Sequence, residues 1–170
     1  MKDFVIPYKG LKDAVHTFET QIGNSFFDEF KSEEIKGGNL SVLIRLDKKE
    51  HLMVFDFEIE GNVNLMCDRC LDFFNQPTNF EGKFYVKFGE ETMEETEELL
   101  ILSNDEYEID LSKFIYDSII LSLPITRIHP DDEEGNSTCN EAMLDKLEEH
   151  QIDEEDHIDP RWEALKNINK

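Results

Sequence analysis

The clearest pattern in the chain is a period of two in its middle third. Leu40, Val42, Ile44 and Leu46 fall on one side of an extended segment, and after the polar stretch Asp47 to Glu50, Met53, Phe55, Phe57 and Ile59 do the same. This predicts an antiparallel hairpin. Glu60-Gly61-Asn62 reads as a second turn, after which Val63, Leu65 and Cys67 keep the alternation up to a cysteine. Phe80, Phe84, Val86 and Phe88 are in phase within a further strand over residues 79–88. Together these make a meander with one apolar face.

The flanking segments have weaker signals. Phe4, Ile6 and Tyr8 alternate as in a first strand, which Pro7 would place at a sheet edge. Ala14, Val15 and Phe18 have helix-compatible spacing, and Phe26, Phe27 and Phe30 fit either a strand or a helix. The acid-rich run Glu90 to Glu98 predicts a solvated loop before a strand over Leu99 to Leu102. Asp110 is placed to cap a helix from Leu111 to about Leu123, with Leu111, Phe114, Ile115, Ser118, Ile119 and Ser122 on one face and Pro124 ending it. The expected fold is α+β, an antiparallel meander of about four to six strands packed against one main helix. Residues 1–130 form one α+β domain, 131–159 an acidic, weakly ordered tail contributing Cys139, and 160–170 a short helical segment opened by Asp159-Pro160-Arg161-Trp162.

Charge narrows the partners. There are 40 acidic and 17 basic side chains, a net of -23, and residues 131–159 hold 13 acids against Lys146 alone. Binding through nucleic-acid phosphates needs a basic stripe, so direct RNA binding is disfavoured and a basic protein partner fits better. The same excess of acid also serves solubility alone. No apolar run approaches the roughly 20 residues that cross a bilayer, and the N-terminus lacks an export-signal pattern. Three cysteines, an odd number, suit a reducing cytosol better than a closed disulfide framework.

Chemistry concentrates at Cys67-Asp68-Arg69-Cys70-Leu71. Two thiolates three residues apart on a turn can chelate one ion, and Cys139 with His129 would complete a Cys3His set suited to structural zinc, with no open position for catalysis. Two other readings stand beside it. The cysteines can be plain thiols, or Cys67 and Cys70 a redox pair, although Leu71-Asp72-Phe73-Phe74 looks extended where a redox pair opens a helix. Arg69 is placed to grip a carboxylate or phosphate, and Arg69 and Trp162 are the candidate partner-contacting side chains. The remaining histidines and acidic pairs suggest no catalytic set, and no Gly-rich phosphate loop occurs.

An ordered set of motifs resembles one family. It comprises Cys67-Asp68-Arg69-Cys70-Leu71 after a strand, Asp110-Leu111 leading a helix into Leu121-Ser122-Leu123-Pro124, His129-Pro130, Cys139-Asn140, and Asp159-Pro160-Arg161-Trp162-Glu163-Ala164-Leu165. In kind and order these are similar to the YceD-like proteins of large ribosomal RNA subunit accumulation, over roughly residues 40–168. The resemblance implies a bacterial or plastid protein with no established enzymatic activity, encoded beside a large-subunit ribosomal protein and needed for normal accumulation of large-subunit ribosomal RNA. The expected role is therefore a non-catalytic, cytoplasmic accessory of ribosome biogenesis that binds a basic ribosomal or rRNA-processing protein. A cytosolic thiol redox protein using Cys67 and Cys70 is the alternative.

Overall fold

The computed structural model describes residues 4–150. A six-stranded sheet dominates. Its strands are β2 (Val15–Ile22), β3 (Ile35–Lys48), β4 (Leu52–Met66), β5 (Phe73–Gly89), β6 (Met93–Thr96) and β7 (Leu99–Ser103), in the order β2-β3-β4-β5-β7-β6. All neighbours are antiparallel except β5 and β7. A separate two-stranded pair joins β1 (Val5–Ile6) to β8 (Ile109–Asp110). The helices are α1 (Asn24–Glu29), α2 (Ser112–Ser122) and α3 (Glu141–His150). The α+β meander with one main helix is thus what the chain forms. None of these helices is long and apolar enough to cross a membrane.

The alternation sets the register. Val42 faces Ile59, Ile44 faces Phe57 and Leu46 faces Phe55 across β3 and β4; Phe55 in turn faces Phe84 on β5. A slip of one residue would turn this whole apolar set to solvent, so one buried face specifies one pairing. Two helices cover that face. Phe26 and Phe27 of α1 are buried, and Ile115 and Ile119 of α2 join the same core. Phe114 lies with its ring centroid 4.5 Å from Phe84 and 4.8 Å from Phe57, while Tyr116 stacks on Phe30 at 4.3 Å, so aromatic contacts join α2 to the sheet and the end of α1 to α2.

Four local expectations change. Residues 15–22 form an edge strand and not a helix, because β-branched Val15, Thr17, Thr20 and Ile22 pair along the open edge of β3. Glu60-Gly61-Asn62 is not a turn: β4 runs through it, with Gly61 paired to Leu40 on one side and Thr78 on the other. Gly61 has φ 153°, and a Cβ there would lie 2.7 Å from Leu40 Cα, so the residue serves close approach of two strands within the sheet. The acidic run is looped only in part. Met93–Thr96 adds a short, fully exposed edge strand whose carboxylates discourage further pairing. Finally, α3 forms inside the acidic stretch expected to be weakly ordered, with Met143 and Leu144 packed against the core.

At the start of α2 the cap is offset by one residue. The helix begins at Ser112, whose N–H donates to Asp110 Oδ1 at 2.8 Å, so Asp110 satisfies the first free donor as expected while Leu111 occupies the cap position.

Replacing Gly61 with alanine should lower unfolding stability by about 2 kcal/mol or more, because backbone has to move. Gly10→Ala, where nothing lies within 4 Å of the added carbon, should stay within about 0.5 kcal/mol. Urea titration of both variants checks this, and equal effects would contradict the strand reading of Gly61.

Candidate metal centre

Strands β3, β4 and β5 run together to one end of the sheet, where Ile35 pairs with Leu65 and Leu65 with Phe74, and the cysteine turn joins β4 to β5 there. Cys67 follows Met66 directly; its N–H donates to Asp72 O at 2.9 Å, and the Leu71 N–H donates to Cys67 O at 3.0 Å. Leu71 takes a left-handed φ of 63°, which reverses the chain into β5. A strand and not a helix follows the second cysteine, as expected.

The segment after α2 reaches back to this turn. Asp68 N–H donates to Arg127 O at 2.7 Å and Arg127 N–H donates to Asp68 Oδ2 at 2.7 Å, a two-way clasp. The Arg127 guanidinium also pairs with Glu34 at 2.5 Å. Two residues on, the His129 ring packs 4.9 Å from the Phe74 ring of β5. A small hairpin then returns the chain. Asp131 bridges to Ser137, and Asp132 Oδ1 accepts from the N–H groups of Glu134 and Asn136 at 2.9 and 2.8 Å. The Asn136 backbone and side-chain bonds to its carboxylate hold Asp132 below its ordinary pKa. Thr138 Oγ1 closes the hairpin by donating to Pro130 O at 2.7 Å. This geometry sets Cys139 next to His129.

All four residues singled out from the sequence therefore meet. Cys67 and Cys139 sulfurs are 3.8 Å apart, Cys70 Sγ is 3.4 Å from His129 Nδ1, and Cys139 Sγ is 3.7 Å from the same nitrogen. The four ligand atoms lie within 4.8 Å of one another and could hold a metal ion. The three cysteines are buried and free of disulfides, and His129 is half-buried. Beyond the centre, Asn140 donates from Nδ2 to Asp72 Oδ2 at 2.9 Å, and its carbonyl accepts the Met143 and Leu144 N–H groups at the start of α3. The turn thus anchors that helix too.

Electrostatics at the centre favour a thiolate. Burial pushes the Cys67 thiol up, but N–H groups of Cys70 and Arg69, with the side chain and backbone of His129, outweigh it and bring the group from 9.0 to about 6. Burial raises the Cys139 thiol, and the neighbouring Cys67 and Cys70 sulfurs raise it further against the lowering effect of Ser137. A cation would relieve both the desolvation and the repulsion between sulfurs.

Arg69 is exposed and in no ion pair among the described residues, and Trp162 lies outside them. Sequence reasoning gave no role to Arg127, Asp72 and Asn140, which position the centre. Asp72 and Asn140 stand beside the cysteine motifs, whereas nothing local marks Arg127, whose clasp joins positions 59 residues apart.

No curated protein and no solved structure matches the chain. The family model described as "Large ribosomal RNA subunit accumulation protein YceD" matches residues 55–169, which takes in the cysteine turn, α2, His129 and Cys139. With two thirds of its length matched in this way, the chain belongs to the YceD family of large ribosomal RNA subunit accumulation proteins.

Proposed function

We propose that this chain is a non-catalytic, cytoplasmic accessory of ribosome biogenesis that supports accumulation of large-subunit ribosomal RNA by binding a basic ribosomal or rRNA-processing protein, and that structural zinc holds its acidic C-terminal part to the sheet. Family membership supports the ribosomal role. The observation that carries the zinc reading is the spacing of the ligand atoms. With Zn–S of about 2.3 Å and Zn–N of about 2.0–2.1 Å, tetrahedral edges are about 3.8 Å between sulfurs and about 3.6 Å from sulfur to nitrogen. Three of the six separations, 3.8, 3.4 and 3.7 Å, match those edges, and all six lie within 4.8 Å. Three soft thiolate donors and one imidazole favour zinc over hard cations, and four protein ligands leave no position for a reacting water.

The acidic excess supports a basic protein partner. At a net charge of -23 the chain repels RNA phosphates but attracts a cationic protein over several ångströms, an attraction that salt weakens. Three free cysteines fit a reducing compartment. Arg69, exposed beside the centre, would contact such a partner through one of its carboxylates, and Trp162 is a partner contact proposed from the sequence alone.

Protein purified without added metal should carry one zinc per chain by elemental analysis. Cys139→Ser should lose it and speed hydrogen exchange at the Asp68 and Arg127 amides; zinc-free protein with unchanged exchange in this variant would contradict the proposal. A pH series on chelated protein gives an independent check. A thiol at about 6 when folded and 9.0 when unfolded adds stability that is complete above pH 9.0 and disappears as pH falls through about 6. The urea midpoints of the metal-free chain and its Cys67→Ser variant should therefore converge on going from about pH 8 to about pH 6. A constant gap would show that the thiolate is not favoured.

For the role itself, capture from lysate at low salt should retain an identified ribosomal or rRNA-processing protein and release it as salt rises. A strain lacking the gene should accumulate less large-subunit ribosomal RNA. Neither effect appearing would remove the reading.

A further inference from the structure

A cleft of about 1130 Å³ lies between α2 and the β5-β7-β6 side of the sheet, and none of the four candidate ligands lines it. Its floor is apolar. Phe80, Phe84, Leu100, Phe114 and Ile120 line it, and Leu121 stands at its rim with 75% of its surface exposed. Its walls are acidic: ten of the lining side chains are carboxylates, and Lys83 and Lys113 are the cations among them. Both lysines are already engaged, Lys83 with Asp56 and Lys113 with Glu94. Glu33, Glu81, Glu97, Glu98, Glu106 and Glu108 make no ion pair among the described residues. These glutamates are exposed, and gathered around an apolar floor they give the cleft one sign of charge and a modest, water-screened mutual repulsion. A cationic occupant relieves that repulsion, and apolar side chains on it would cover the floor.

We propose that this cleft is the docking groove for a Lys/Arg-rich amphipathic segment of a partner protein, apolar side chains on the Phe80, Phe84 and Phe114 floor and cations against the glutamates. The inference rests on the proposed basic partner and adds where, and through which chemistry, that partner is held. Charge complementarity selects the occupant. RNA and anionic lipid surfaces carry the wrong sign, and a second copy would bring another net -23. At about 1130 Å³ the cleft is somewhat larger than the roughly 300–1,000 Å³ of small-molecule pockets and accommodates several side chains, as when an amphipathic helix lies in a groove.

The test is fluorescence anisotropy on the full zinc-loaded chain with a labelled peptide of alternating lysine and leucine turns, and with a second peptide in which serine replaces leucine. The first peptide should bind in a salt-dependent way and the second about tenfold more weakly. Leu121→Asp, and separately Glu97→Lys with Glu98→Lys, alter exposed positions that the fold does not need and should each weaken the first peptide by about tenfold. Glu133→Lys with Glu134→Lys makes the same change of charge outside the groove and should weaken binding far less. Equal loss in the two charge-reversed pairs, or equal binding of the two peptides, would overturn the groove in favour of diffuse attraction. So would a dimer that Leu121→Asp dissolves, or zero-length cross-links joining Glu97 or Glu98 to Lys166 or Lys170 of the same chain, which assign the cleft to other occupants. If a ribosomal protein is captured equally by the wild type and the groove variants, the groove fails and the partner reading survives. Peptide binding lost in the variants, with no ribosomal protein captured by the wild type, leaves the groove and removes the partner reading.

Discussion

The placing of residues 124–150 depends on the convergence of three thiols and one imidazole at the turn that joins β4 to β5. Residues 124–150 contribute few large apolar side chains, and Ile125 is fully exposed, so hydrophobic burial alone gives this stretch little reason to fold back. What draws it in is polar and specific. The Asp68–Arg127 clasp fixes the approach, the Asp132 turn reverses the chain, and Asn140 bonds both Asp72 and the first turn of α3. Between these contacts His129 and Cys139 meet Cys67 and Cys70. A metal ion there would act as a small core for a segment too acidic to make its own, which is the general role of structural metals in polar stretches.

The sheet solves a different problem. Buried Phe, Ile, Leu and Val on one face give β3, β4 and β5 a single register, Phe114 joins α2 to it, and the stack of Phe30 on Tyr116 joins α1 to α2. That rigid layer is also what carries the cysteine turn, because Cys67 continues the buried alternation of Val63 and Leu65. The packing of the core and the placing of the centre are therefore one pattern, read along β4. The groove lined by Phe80, Phe84 and Phe114 shares no residue with the four candidate ligands, and Glu34 at its edge pairs with Arg127 of the clasp, so the two sites are distinct but neighbouring on the fold.

How much of this was legible follows from the kind of signal. The central strands could be read because an amphipathic strand must alternate, and the four candidate ligands could be read because cysteine and histidine are rare and chemically distinctive here. Where backbone geometry decides, residue type misleads. Gly61 suggests a turn, yet its missing side chain serves close strand approach; Val15 to Ile22 has a helix-compatible start, yet the open edge of β3 makes it a strand. Helix α3 was hidden by its charge, since Met143 and Leu144 are too few to give a periodic signal and become meaningful only once Asn140 is anchored. Arg127 was invisible for the same reason: its role exists only after residues distant in sequence are brought together.

X-ray absorption at the zinc edge on protein purified without added metal tests the central claim most directly. The account predicts three sulfur scatterers at about 2.3 Å and one nitrogen at about 2.0–2.1 Å. A spectrum with oxygen and nitrogen neighbours alone, or no bound zinc at all, would contradict it.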